Sequence, residues 1–167
     1  MALTEVQQFA FDKINFRAKY LVGNKTDIPK ILLLKIGAAG ELVMASPFFD
    51  QLRKHFPHSE IVLVVGKSSY GVVEHNPNIS RFILVNDLDI YCGGLMSRLL
   101  EFFRLVFKLR KEEFDLSFVL HRAWPLRLLS CLIGVPARVG FGHGKEDFFL
   151  TQSTFIPKTQ NESESYL

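Results

Sequence analysis

The chain has 167 residues, 48% of them hydrophobic and 22% charged, which suits one domain with a substantial core and excludes the disordered, collagen-like and disulfide-scaffold classes. A net charge of +3 without a lysine or arginine run does not imply nucleic acid, and two cysteines, Cys92 and Cys131, allow at most one bridge and no paired zinc spacing. The amino terminus lacks a secretory pattern and no run approaches the roughly 18 apolar residues of a membrane span, so the expected location is the cytoplasm, or the periphery of a membrane at most. Sixteen phenylalanines, paired at 48–49, 102–103 and 148–149, are heavy for this length. Core packing is the plain reading, and a surface that meets lipid or a partner domain is the alternative.

In residues 3–21 apolar side chains recur every three to four positions at Leu3, Val6, Ala10, Ile14, Ala18 and Leu21, which predicts an amino-terminal helix. Lys13, Arg17 and Lys19 lie in its second half, so the helix either packs on protein or rests on an anionic membrane surface. Turn formers at 23–29 make a linker. The run KILLLKI at 30–36 reads as a strand covered on both faces of a parallel sheet. A glycine turn at 37–40 leads into a helix predicted over 41–56, and EIVLVV at 60–65 makes a second buried strand closed by Gly66. This is a βαβ unit with a right-handed crossover expected.

The alternation continues with a short helix at 70–74, a strand at 81–85, a longer helix at 95–111, a strand at 115–120, a helix at 124–133 and a fifth strand at 137–141. Basic residues flank the apolar stripe of the 95–111 helix, either as a solvated face or as a contact for anionic lipid. The expected architecture is α/β: a Rossmann-like open parallel sheet with helices on both faces. The organisation read from the sequence is a helix and linker at 1–29, the α/β domain at 30–157 and a polar tail at 158–167.

Ligands of such sheets bind beyond the carboxyl ends of the strands. That rule points to Gly37, Gly40 and Glu41 after the first strand, Lys67 after the second, Asn86 and Asp87 after the third, and His121 and Arg122 after the fourth. The glycine turn reads G-A-A-G rather than G-x-G-x-x-G, and no G-K-S/T follows it, so dinucleotide and Walker-type nucleotide sites are both poor matches. The turn instead supplies a carboxylate, Glu41, at a helix start. It is either a proton acceptor at the mouth of the cleft or an acidic residue that merely complements the helix dipole. Gly37 and Gly40 are read as sites of close backbone approach in the turn. No cluster has the spacing of metal ligands, and neither a metal nor a cofactor is expected.

The string K-I-L-L-L-K-I-G-A-A-G-E-L-V-M-A-S-P-F-F-D at 30–50, with I-V-L-V-V-G at 61–66 and H-N-P-N-I-S-R-F-I-L-V at 75–85, resembles the amino-terminal domain of glycosyltransferase family nine, the bacterial lipopolysaccharide heptosyltransferases. F-D-L-S-F-V-L-H-R at 114–122 and G-V-P-A-R-V-G-F at 134–141 resemble the family's next block, so the likeness covers residues 30 to about 150. The resemblance implies one half of a GT-B glycosyltransferase, with an inverting transfer of a heptose-like sugar from a nucleotide-sugar donor such as ADP-heptose to a lipopolysaccharide core. The acceptor would be an anionic glycolipid at the inner membrane surface, bound on this domain. Family members carry an aspartate directly after the second glycine of the turn as the proposed base. Glu41 stands there in this chain, its carboxylate displaced by roughly 1 to 1.5 Å through the extra methylene. Gly37, Gly40, Lys67, His121 and Arg122 become the candidate acceptor-binding residues. The family's donor-binding half has no counterpart in the 167 residues, so the expectation is a chain that does not turn over alone. A non-catalytic module for an anionic glycolipid or a partner subunit, and an unrelated nucleotide-binding α/β protein, are the alternative readings.

Overall fold

The computed structural model describes residues 28–87, 94–121, 123–142 and 148–155. The helix expected at 3–21 and the tail at 158–167 lie outside them. Six strands form one parallel sheet: β1 (Ile31–Leu34), β2 (Ile61–Gly66), β3 (Arg81–Val85), β4 (Leu116–Val119), β5 (Ala137–Gly142) and β6 (Gln152–Phe155). Their spatial order is β3-β2-β1-β4-β5-β6, the Rossmann order, in which the chain reverses its direction of winding between β1 and β4.

The central strands are apolar throughout because both faces are covered. Ile31 and Leu33 of β1, with Ile61 and Leu63 of β2, point to one face, where Leu42, Phe49 and Leu52 pack on them. Leu32 and Leu34 point to the other, against Leu105, Val106, Leu109 and Leu129. The first set of helical residues belongs to α1 (Ala39–Met44) and α2 (Ser46–His55), the second to α3 (Leu95–Arg110) and α4 (Trp124–Leu132). This two-unit alternation is what a doubly covered strand requires.

The helix predicted over 41–56 is two helices. Pro47 has no N–H to give the Val43 carbonyl, so the helical ladder breaks there. The Ser46 hydroxyl donates to that carbonyl instead at 2.7 Å, and Ala45 joins the two helices in αR conformation. The helix expected at 70–74 is a single 3-10 turn at Tyr70–Val72. Strand β6 is a sixth strand where five were expected. It pairs with β5 at the sheet edge, and its sequence QSTF lacks the apolar run that marks the inner strands.

The phenylalanine pairs divide between core and surface. Phe49 is fully buried, and Phe48 meets Phe118 edge to face at 5.3 Å. Phe103, Phe107 and Phe148 are at least half exposed. Packing therefore accounts for part of the aromatic excess and not for all of it.

Candidate functional site at the carboxyl edge of the sheet

The reversal of winding between β1 and β4 places the topological switch point, where sheets of this kind bind ligands, at the carboxyl ends of those strands. The turn after β1 is built around one ion pair. Lys35, the first residue past the strand, has the same parity as Ile31 and Leu33 and so faces the α1 side of the sheet. Its side chain is only 3% exposed, and its Nζ lies 2.7 Å from Glu41 Oε2 in the first turn of α1. The Glu41 side chain is 31% exposed. One carboxylate oxygen is thus tethered by a buried ammonium, and the other, Oε1, accepts no hydrogen bond among the described residues.

Gly37 makes room for this arrangement. A Cβ at that position would stand 2.5 Å from Glu41 Oε2, so any side chain there would push the carboxylate away. The close approach expected at both glycines holds for Gly37 alone. A Cβ on Gly40 would meet nothing within 4 Å, and neither glycine has a positive φ. What crowds Gly37 is the Glu41 side chain, whereas Gly40 sits on the exposed side of α1.

A second acidic group stands two strands further along, beyond β2. Asp87, just past β3, is 8% exposed. It accepts from the Ser68 N–H at 3.3 Å and from the Ser68 hydroxyl. Burial alone would raise its carboxyl, but the Ser68 hydroxyl and N–H, with backbone N–H groups of Asp87 and Lys67, outweigh burial and hold it below the ordinary carboxylate value. Gly66 has the same relation to Asp87 that Gly37 has to Glu41, because a Cβ there would lie 2.8 Å from the Asp87 Cγ. Asp87 therefore fastens the β2 loop and is spent on structure.

The remaining candidates sit on the same edge. Lys67 is exposed after β2, with its N–H donating to the Val85 carbonyl at 3.0 Å. His121 is half-buried after β4, and its Nδ1 accepts from the Ala123 N–H at 3.0 Å. A neutral His121 therefore carries its proton on Nε2. Arg122 lies outside the described residues. Glu41, Lys67 and His121 thus follow three neighbouring strands, β1, β2 and β4. Lys35 is the residue that sequence reasoning missed. Within KILLLKI it reads as part of the strand, and the signal that could have found it is a charge on the covered face of a buried run. Among the described residues no group of three His, Cys, Asp or Glu could hold a metal, and no helix is long and apolar enough to cross a membrane.

A parallel sheet in this order, with its switch point between β1 and β4, defines a Rossmann-like α/β protein. Comparison with known proteins bears out the resemblance to glycosyltransferase family nine. The chain is 26% identical over 118 residues to the lipopolysaccharide core heptosyltransferase OpsX of Haemophilus influenzae, covering 70% of this chain and 31% of that protein. It is 21% identical over 120 residues to lipopolysaccharide heptosyltransferase 3 of Escherichia coli, covering 72% of this chain and 33% of that one. Among solved structures, a family 9 glycosyl transferase from Veillonella parvula superposes with a TM-score of 0.72 at 25% identity, over 84% of this chain and 39% of that chain. No protein-family model matches the chain. The chain spans about a third of the length of the curated relatives it matches.

Proposed function

We propose that this domain is the acceptor-binding half of an inverting glycosyltransferase that moves a heptose-like sugar from a nucleotide-sugar to a lipopolysaccharide core acceptor. The observation that carries the reading is the Glu41 carboxylate at the switch point, with Oε2 held by Lys35 and Oε1 without a partner among the described residues. In an inverting transfer the acceptor hydroxyl attacks the anomeric carbon from the face opposite the leaving nucleotide. Its proton passes to a carboxylate within hydrogen-bond reach, the bond from sugar to phosphate breaks, and the nucleotide diphosphate leaves. Glu41 is the base in this scheme. Lys35 is a positioning residue: its Nζ fixes the direction of the carboxylate from a site closed to water.

Lys67 and His121, which follow the flanking strands, and Arg122, next to His121 in the sequence, are assigned to the anionic groups of the acceptor, as charge-assisted hydrogen bonds to phosphate or carboxylate require. The nucleotide-sugar is assigned to the second half of a GT-B architecture, since the glycine turn has no dinucleotide pattern. Location follows the acceptor: the cytoplasmic face of the inner membrane. The test is binding of the chain to a core glycolipid and, separately, to ADP-heptose. Saturable binding of the glycolipid without binding of the nucleotide-sugar is expected. Binding of the nucleotide-sugar alone would overturn the assignment.

A further inference from the structure

Helix α3 has two apolar faces, and among the described residues only one packs on the sheet. Leu105, Val106 and Leu109 are buried against the sheet. At 100° per residue, Met96, Leu99, Leu100, Phe103 and Phe107 form a second stripe to one side of that face. All five are exposed, Met96 at 71% and Phe107 at 66%. Along the outer margin of the stripe the same spacing places Arg104, Lys108 and Lys111, all exposed. Arg104 pairs with the neighbouring Glu101 at 3.1 Å. Over 95–111 the sequence holds five basic residues (Arg98, Arg104, Lys108, Arg110, Lys111) against one acidic residue, Glu101.

We infer that this stripe docks on an anionic lipid surface, with Phe103 and Phe107 entering the headgroup boundary and Arg104, Lys108 and Lys111 meeting lipid phosphates. Charge decides between the possible occupants. A second copy of the chain would bring the same basic margin against itself. Residues 1–27 hold four basic and three acidic side chains, a net of +1, and residues 156–167 hold one basic and two acidic, a net of −1, so neither segment balances the +4 of residues 95–111. An anionic bilayer supplies both the apolar layer and the negative charge in the order the helix presents them. The stripe begins where α3 follows β3, at the same edge as Glu41. It shares no residue with the sugar-transfer site, so the lipid contact stands or falls independently of the transfer chemistry.

The test is co-flotation of the full chain with phosphatidylcholine vesicles, with and without about a third phosphatidylglycerol. Binding to the anionic vesicles is expected, with at least a fivefold loss in phosphatidylcholine alone or on raising salt to roughly 0.5 M. Phe103→Ser with Phe107→Ser should lower binding by at least about tenfold, with the thermal unfolding transition and circular dichroism unchanged. Arg104→Gln with Lys108→Gln should remove the preference for anionic lipid. Absence of anionic-vesicle binding would overturn the proposal. So would unchanged binding of the Phe103→Ser, Phe107→Ser chain, which would place the contact elsewhere, or a dimer that this pair of substitutions dissolves, which would assign the stripe to a second copy.

Discussion

The two ends of the sheet carry charge in opposite ways. At the amino ends of the strands, Lys30 before β1, Glu60 before β2, Arg81 at the start of β3 and Glu112 after α3 form a closed network. Lys30 Nζ lies 2.7 Å from Glu112 and 3.6 Å from Glu60, and Arg81 lies 2.6 Å from Glu112 and 3.1 Å from Glu60. Two cations face two anions, and each of the four groups has two partners of opposite sign. Hydrogen bonds from Arg81 and then Lys30 hold the Glu112 carboxyl down to about 2, from an ordinary 4.5. At the carboxyl ends, Glu41 has its pair with Lys35 and an oxygen to spare. The lesson is one of saturation. A charge whose partners all come from the fold stabilises it, whereas a carboxylate with one oxygen tethered and one open is arranged to meet something else.

Four substitutions probe that contrast. The largest effect is expected from Glu41→Gln, assayed in a chain that carries this domain together with a donor-binding domain. Transfer should fall by about 100-fold or more, the range of a lost general base, with the domain still folded by circular dichroism but melting earlier, because the buried Lys35 ammonium loses its counter-charge. At the opposite edge, Glu112→Gln should leave any ligand binding intact and cost about 2 kcal/mol in urea unfolding. The same residue sets an acid dependence. Its folded pKa lies below its unfolded value, so its stabilisation is complete above about pH 4.5 and is lost as pH falls toward about 2. The stability of Glu112→Gln across that window should vary less with pH than that of the parent chain.

Gly66→Ala comes next, at about 1 to 2 kcal/mol, because its Cβ would collide with an Asp87 side chain that two Ser68 bonds hold in place. Gly37→Ala should have the smallest effect on stability, less than about 1 kcal/mol, because the atom it meets is the far end of a flexible side chain. Its effect on transfer should approach that of Glu41→Gln, since the carboxylate is displaced. A Gly37→Ala chain that melts early yet transfers normally would make Gly37 a structural glycine like Gly66 and remove its tie to the carboxylate.

The inner strands were legible because burial on both faces leaves a continuous apolar run, as in ILLL and IVLVVG. Strand β6 was not, because QSTF has no apolar run to mark it, whereas RFILV of β3, at the other edge, does. The break at Ala45 depends on Pro47, which sits comfortably in the first turn of a helix and so does not by itself announce a new one. At the site, Glu41 stood out by its place after the first strand. Lys35 could not, since its meaning rests on a contact across the turn. Asp87 was visible as a loop residue, but its use as a clamp on Ser68 is a tertiary fact.

That the carboxyl edge is kept for an acceptor while the amino edge is kept for stability can be tested in one titration. Isolated lipopolysaccharide core would be titrated calorimetrically into the chain, into Gly37→Ala and into Glu112→Gln. Saturable binding is expected, weakened by Gly37→Ala and unchanged in Glu112→Gln. Absence of binding to the parent chain, or binding that Glu112→Gln weakens and Gly37→Ala does not, would refute the division of labour between the two edges.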